Sequence, residues 1–231
     1  MKAMGEDFIA TLARHGIIGE RIAAPFVLWL VRPDTGDQAA VSALLSDAEA
    51  ERAGRFRIDA LARRYRAAHG ALRLLVEAEF GIAAARQRYG ANEFGKPHLL
   101  DEPDVQCNVS YSGDFAMVAL ARGVEIGIDL ERVRPVDDAA GLAAMYYTDR
   151  ELMQLNERPG AFSDHEFLTV WVRKEACSKA LGRGLSIAPS SFECGVGCGP
   201  RNVLVDGEVM ESDVVDPKGG VLMSWAVRGQ C

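Results

Sequence analysis

The sequence has no apolar run long enough to cross a bilayer. Its first residues, Met1-Lys2-Ala3-Met4-Gly5-Glu6-Asp7, turn acidic too early for a secretory signal. The expected location is the cytoplasm, without a membrane contact. Positive charge is in deficit: 26 Lys and Arg face 33 Asp and Glu, a net charge of -7. That balance argues against nonspecific nucleic-acid binding, while leaving room for a local basic pocket. Cysteine is sparse and scattered, at positions 107, 177, 194, 198 and 231. An odd set of this kind fits reduced thiols rather than a disulfide framework. Cys194 and Cys198 could be half a zinc site, but no second ligand pair lies nearby, which favours ordinary packing. There is no Walker loop, no glycine-rich dinucleotide fingerprint, no low-complexity tract and no residue-level repeat.

What is present suits a globular α/β (α+β) chain of 231 residues, 48% of them hydrophobic. Phe26 to Val31 reads as a buried strand, and Ser46-Asp47-Ala48-Glu49 as a helix start. A long helix from Asp59 to Phe80 stops at Gly81. Residues 86–105, rich in Gly, Pro, Asn and Asp, read mainly as loop. Strands Val105–Tyr111 and Phe115–Ala121 follow, joined at Ser112-Gly113-Asp114. The second half runs similarly. A strand over 124–130 precedes helices over 139–156, broken at Thr148-Asp149, and Pro159-Gly160 separates these from a helix over Asp164–Leu181. Strands are predicted over 191–196, 203–209 and 221–227. The order suggests two similar subdomains, 1–122 and 123–231, each with a long helix on a small antiparallel sheet.

The helix over 164–181 is apolar on every side from Phe167 to Leu181, the pattern of a buried helix. Yet it carries Lys174, Glu175 and Lys179, and buried charges must be paired or bound to something. Glu175 and Lys179 lie one turn apart and could simply pair within the helix. In Gly127-Ile128-Asp129-Leu130-Glu131, the period of a strand puts Asp129 and Glu131 on one face. Two adjacent carboxylates repel, and a hard cation such as Mg²⁺ relieves that repulsion. Salt bridges to Arg132 and Arg134 are the alternative. Arg52, Arg55, Arg63, Arg64, Arg66 and Arg73 fall in helical segments with His69. Arginine suits phosphate, although most of these also suit a solvated face. Gly95-Lys96-Pro97 is a rigid turn presenting one lysine, and Asn108-Val109-Ser110-Tyr111-Ser112 alternates polar side chains.

On these motifs the chain resembles the 4′-phosphopantetheinyl transferases of the longer, fused-duplicate type, which act on carrier domains of peptide and polyketide synthases. The match lies in Ile126-Gly127-Ile128-Asp129-Leu130-Glu131 and in Trp171-x-x-Lys174-Glu175-Ala176-x-x-Lys179-Ala180-x-Gly182-x-Gly184-Leu185. Weaker matches are Arg52 with Arg55-Phe56, Arg66 with Gly70, Gly95-Lys96-Pro97, and Asn108-Val109-Ser110. The resemblance implies two similar subdomains in pseudo-twofold arrangement, with the active site at their interface. It implies a coenzyme A co-substrate, Mg²⁺ on Asp129, Glu131 and Glu175, and an acyl or peptidyl carrier protein as partner. It places Lys174 and Lys179 near the phosphates, with Lys179 stabilising the leaving 3′,5′-ADP. It assigns Arg52, Arg66, Lys96, Pro97, Ser110 and Tyr111 to the coenzyme A site, with Arg52, Arg66, Lys96 and Ser110 contacting its nucleotide end. Family members usually carry histidine where this chain has Tyr111, which shifts recognition of the 3′-phosphate toward Arg66 and Arg52. The expected reaction converts apo to holo carrier, with Glu175 as proton acceptor and Glu151 as second candidate. A monomer suffices. The alternative is a noncatalytic coenzyme A- or carrier-binding protein on the same fold.

Overall fold

The computed structural model describes residues 4–34, 36, 38–157, 162–216 and 220–229. The predicted Pro159-Gly160 break and Cys231 lie outside them. The chain divides into two compact units, one of Met1–Gly90 with Pro97–Arg122, the other of Ala91–Lys96 with Gly123–Cys231.

The first unit begins with helix α1 (Met4–Arg14) and strands β1 (Ile17–Arg21) and β2 (Val27–Pro33). Short α2 (Ala39–Ser42), then α3 (Asp47–Gly54) and α4 (Asp59–Phe80), follow. Ser46 and Glu49 close a reciprocal capping box at the start of α3, as their spacing predicts. Gly81, at φ 71°, ends α4 in the left-handed region. Strands β3 (Tyr89–Ala91) and β4 (Pro97–Leu99) occupy part of the stretch read as loop, and β5 (Val105–Ser112) and β6 (Phe115–Arg122) form the predicted hairpin. The sheet order is β1-β2-β6-β5-β4-β3. Helix α4 lies on β2 and β6, burying Ala67, Ala71, Leu72 and Leu75 with Trp29, Val31 and Val118.

The second unit holds β7 (Ile126–Arg132), α5 (Ala139–Tyr146), α6 (Asp149–Asn156), α7 (Asp164–Ala180), β8 (Arg201–Val205), β9 (Glu208–Val215) and β10 (Val221–Arg228). Capping boxes Thr148–Glu151 and Ser163–Glu166 start α6 and α7. The antiparallel sheet runs β7-β10-β9-β8, so β7 is an edge strand. Helix α7 covers β7, β10 and β9 and packs Val172, Ala176 and Ala180 into the core with Val203, Met210 and Leu222. Together the units make an α+β fold with two sheets, each covered by a long helix.

Two predicted strands need correction. Residues 203–209 are not one strand: Asp206 (φ 51°) and Gly207 (φ 82°) turn the chain between β8 and β9. An Asp-Gly pair with both residues at positive φ is the hairpin turn that matches strand twist. Residues 191–196 are not a strand either. The carbonyls of Phe192 and Cys194 are taken by the side chains of Lys174 and Arg173 instead of by a neighbouring strand.

Candidate active site

Strand β7 and helix α7 meet unusually closely because of Gly127. A Cβ there would stand 2.1 Å from the Ala176 carbonyl oxygen and 2.2 Å from the Ala180 amide nitrogen. Glycine removes that collision. Two residues along the strand on the same face, Asp129 then comes under the last turn of α7. Lys179 Nζ lies 2.6 Å from Asp129 Oδ1 and 3.8 Å from Glu175 Oε2. The side chains of Asp129, Glu175 and Lys179 keep 8%, 13% and 25% of their exposure, so the cluster is sheltered but reachable.

Burial raises the Glu175 carboxyl above the ordinary carboxylate value, and repulsion from Asp129 and Glu131 adds to this while Lys179 counters it. Burial alone would lower the Lys179 pKa; the facing Asp129 and Glu175 carboxylates outweigh it and raise the pKa, so the lysine is held charged. Asp129, Glu131 and Glu175 thus share one negative field. Oxygen donors that repel one another are the chemistry a hard divalent cation takes. Among the described residues no group of three or more His, Cys, Asp or Glu is already drawn together to hold a metal ion. The Lys179 ammonium bonds Asp129 instead.

Lys96 reaches the same end of α7. Asn92 Oδ1 accepts from the amides of Phe94 and Lys96, and Asn92 Nδ2 donates to the Gly182 carbonyl. This turn holds Lys96 Nζ 2.6 Å from Glu125 Oε2 and 3.3 Å from the Ala180 carbonyl oxygen. A cation there complements the negative end of the helix dipole. Beside Glu131, a cleft is lined by Arg134, Val136, Leu142, Tyr146, Phe167 and Trp171.

Lys174 and Glu151 are placed elsewhere. Lys174 Nζ lies 2.8 Å from Glu151 Oε2 and donates to the carbonyls of Pro189 and Phe192; both side chains are fully buried. Glu151 Oε1 also accepts from the amides of Cys194 and Gly195. All three ammonium protons therefore have protein acceptors, and the carboxylate is closed off. This geometry makes the pair a structural tie rather than a phosphate contact at Lys174 or a proton acceptor at Glu151. Arg173, also fully buried, binds the carbonyls of Cys194, Gly197 and Gly199.

In the first unit, Arg52 is exposed and lies over the Phe56 ring, and Arg66 is half-buried. Ser110 is buried in β5, and Pro97, in β4, accepts from the Cys107 thiol. Arg64 stacks over Tyr111 at 5.3 Å and donates to the Gly113 carbonyl. Burial raises the Tyr111 pKa, so the phenol stays neutral. Arg73 is a buried partner of Glu49 rather than a surface cation. The closeness forced by Gly127, the Lys174–Glu151 pair and the anchoring role of Arg173 were missed in the sequence. Glycine inside a strand pattern was the available signal for the first.

The α+β fold gathers carboxylates and a lysine where an edge strand meets a helix end. The sequence pattern of the 4′-phosphopantetheinyl transferase superfamily matches residues 125–204, the stretch that carries this cluster. Over that stretch the chain is similar to the superfamily. It is 34% identical over 149 residues to the 4′-phosphopantetheinyl transferase HetI of Nostoc sp., covering 63% of each chain. It is 28% identical over 167 residues to a 4′-phosphopantetheinyl transferase of Bacillus subtilis, covering 71% of this chain and 73% of that one. With the transferase Sfp of Bacillus subtilis strain 168 it shares 28% identity over 121 residues, 52% of this chain and 53% of the relative. The chain thus spans less than two thirds of the length of HetI and Sfp.

Proposed function

We propose that this protein transfers the 4′-phosphopantetheine group of coenzyme A to a serine of an acyl or peptidyl carrier protein, releasing 3′,5′-ADP. The observation that carries this reading is the sheltered cluster of Asp129, Glu175 and Lys179, with Glu131 in the same negative field. Asp129, Glu131 and Glu175 would hold Mg²⁺. When bound, the ion would neutralise charge on the diphosphate and polarise its oxygens. In the reaction, the serine Oγ forms a bond to the β-phosphorus as the bond from that phosphorus to the bridging oxygen breaks. The serine proton passes to Glu175, whose sheltered carboxylate is more basic than an exposed one. Lys179 neutralises the oxygen that leaves on 3′,5′-ADP. Positioning and charge neutralisation supply most of the rate.

On the resemblance alone, the reading assigns Arg52, Arg66, Lys96 and Ser110 to the nucleotide end of coenzyme A, with Tyr111 near its 3′-phosphate. Arg64 joins them as a cation stacked on Tyr111. No helix among the described residues is long and apolar enough to cross a membrane. With Cys107, Cys177 and Cys194 buried as free thiols, the reading takes a reducing compartment, the cytoplasm, and a monomer. The test incubates the protein with an apo carrier domain, coenzyme A and Mg²⁺, then weighs the carrier by mass spectrometry. A phosphopantetheine adduct is expected. No adduct on any of several carriers overturns the transferase reading, and retained coenzyme A binding would then favour a noncatalytic binder.

A further inference from the structure

Lys179 stands among the carboxylates that would receive a cation. Its Nζ is 2.6 Å from Asp129 Oδ1 and 3.8 Å from Glu175 Oε2, and Glu131 adds to the field it feels. A carboxylate oxygen that accepts from an ammonium at that distance is a poorer metal ligand, and two cations at one oxygen repel. The backbones of β7 and α7 pack directly on each other at Gly127, and parting them would open the core that α7 closes. The long, rotatable lysine side chain can move without that cost.

We propose that Lys179 is an exchangeable counter-ion. It neutralises Asp129 while the site lacks metal, and it leaves Asp129 for the coenzyme A diphosphate when the divalent ion and coenzyme A bind together. This rests on the Mg²⁺–diphosphate reading above. Its consequence is coupling. The cation alone must compete with Lys179 and binds weakly. Coenzyme A strengthens cation binding by giving the ammonium new acceptors, and the cation strengthens coenzyme A binding by the same factor. Lys179 is then a positioning residue for the cation as well as a phosphate contact.

The test uses Mn²⁺ as probe and counts free Mn²⁺ by electron paramagnetic resonance, with and without coenzyme A, on the full chain. In the wild type, coenzyme A should strengthen Mn²⁺ binding on the order of tenfold or more. Lys179→Met should bind Mn²⁺ without coenzyme A about tenfold tighter than the wild type, and the strengthening by coenzyme A should shrink. Lys179→Gln, which keeps a hydrogen-bond donor but no charge, should tighten binding likewise and carries the test if the methionine variant does not fold. Binding no tighter in either folded variant overturns the proposal. No Mn²⁺ binding by the wild type, even with coenzyme A, instead overturns the metal reading on which it rests; loss of binding in Asp129→Asn is the control that locates the ion.

Discussion

Gly127 faces the Ala176 carbonyl so closely that a Cβ on the strand would stand 2.1 Å from that oxygen. The opposing atoms belong to helix backbone, which cannot rotate aside like a side chain. Gly127→Ala should therefore push α7 off β7 and cost about 3 kcal/mol, the upper part of the usual range for overpacking. Because the same contact brings Lys179 to Asp129, carrier modification should fall more than the loss of folded protein explains. Urea denaturation and the initial rate of adduct formation check both parts. Wild-type values for both would mean that strand and helix do not meet this closely.

Local signals made much of this fold legible. The three capping boxes, the Gly81 stop and the β5–β6 hairpin depend on residues within a few positions of one another. Asp129 and Glu131 could be paired from strand period alone. What could not be read depends on distant partners. Lys174 looked like a site cation because its sequence shows a charge in an apolar helix; its acceptors are Glu151, Pro189 and Phe192, brought in by folding. Strand 203–209 was misread because Val and Leu outweighed the Asp206-Gly207 turn signal. The short pairing of β4 with β5 involves too few residues to leave a period in the sequence.

The Lys174–Glu151 pair leads to a stability prediction. Both side chains are buried, and removing one leaves the other charge without its counter-ion. Lys174→Met should cost about 3–5 kcal/mol in chemical denaturation. Glu151→Gln should cost a similar amount, and the double variant less than the sum by about 0.5–3 kcal/mol. Additive losses would show that the two charges do not act as a pair.

Acid should weaken the first unit through Glu49. Burial alone would raise its carboxyl pKa, but hydrogen bonds from His69, the Ser46 amide and Arg73 bring it down to about 2 from 4.5. A depressed carboxyl stabilises the folded state above its unfolded pKa and loses that contribution as pH falls through the folded one. Roughly 3 kcal/mol should therefore disappear between about pH 4.5 and 2. Glu49→Gln should be less stable at neutral pH, with a smaller loss across that window. Parallel pH profiles for variant and wild type would remove Glu49 as the source.

Glu175 should show the opposite sign. Its carboxyl is raised by burial and by Asp129 and Glu131, with Lys179 offsetting only part. An acid whose folded pKa is raised binds its proton more tightly in the folded state, so ionisation near neutral pH opposes folding. Glu175→Gln removes that charge. The metal-free variant should hold its stability at neutral pH or gain slightly. Carrier modification should nevertheless fall about 10²–10⁴-fold, the usual worth of a positioned proton acceptor. Thermal melts after chelator treatment and adduct rates at saturating Mg²⁺ and coenzyme A separate the two effects. Near-normal turnover would remove Glu175 from proton transfer. A loss of both stability and turnover would instead make it a structural partner of Lys179, with its weakness as an ion outweighed by the 3.8 Å contact.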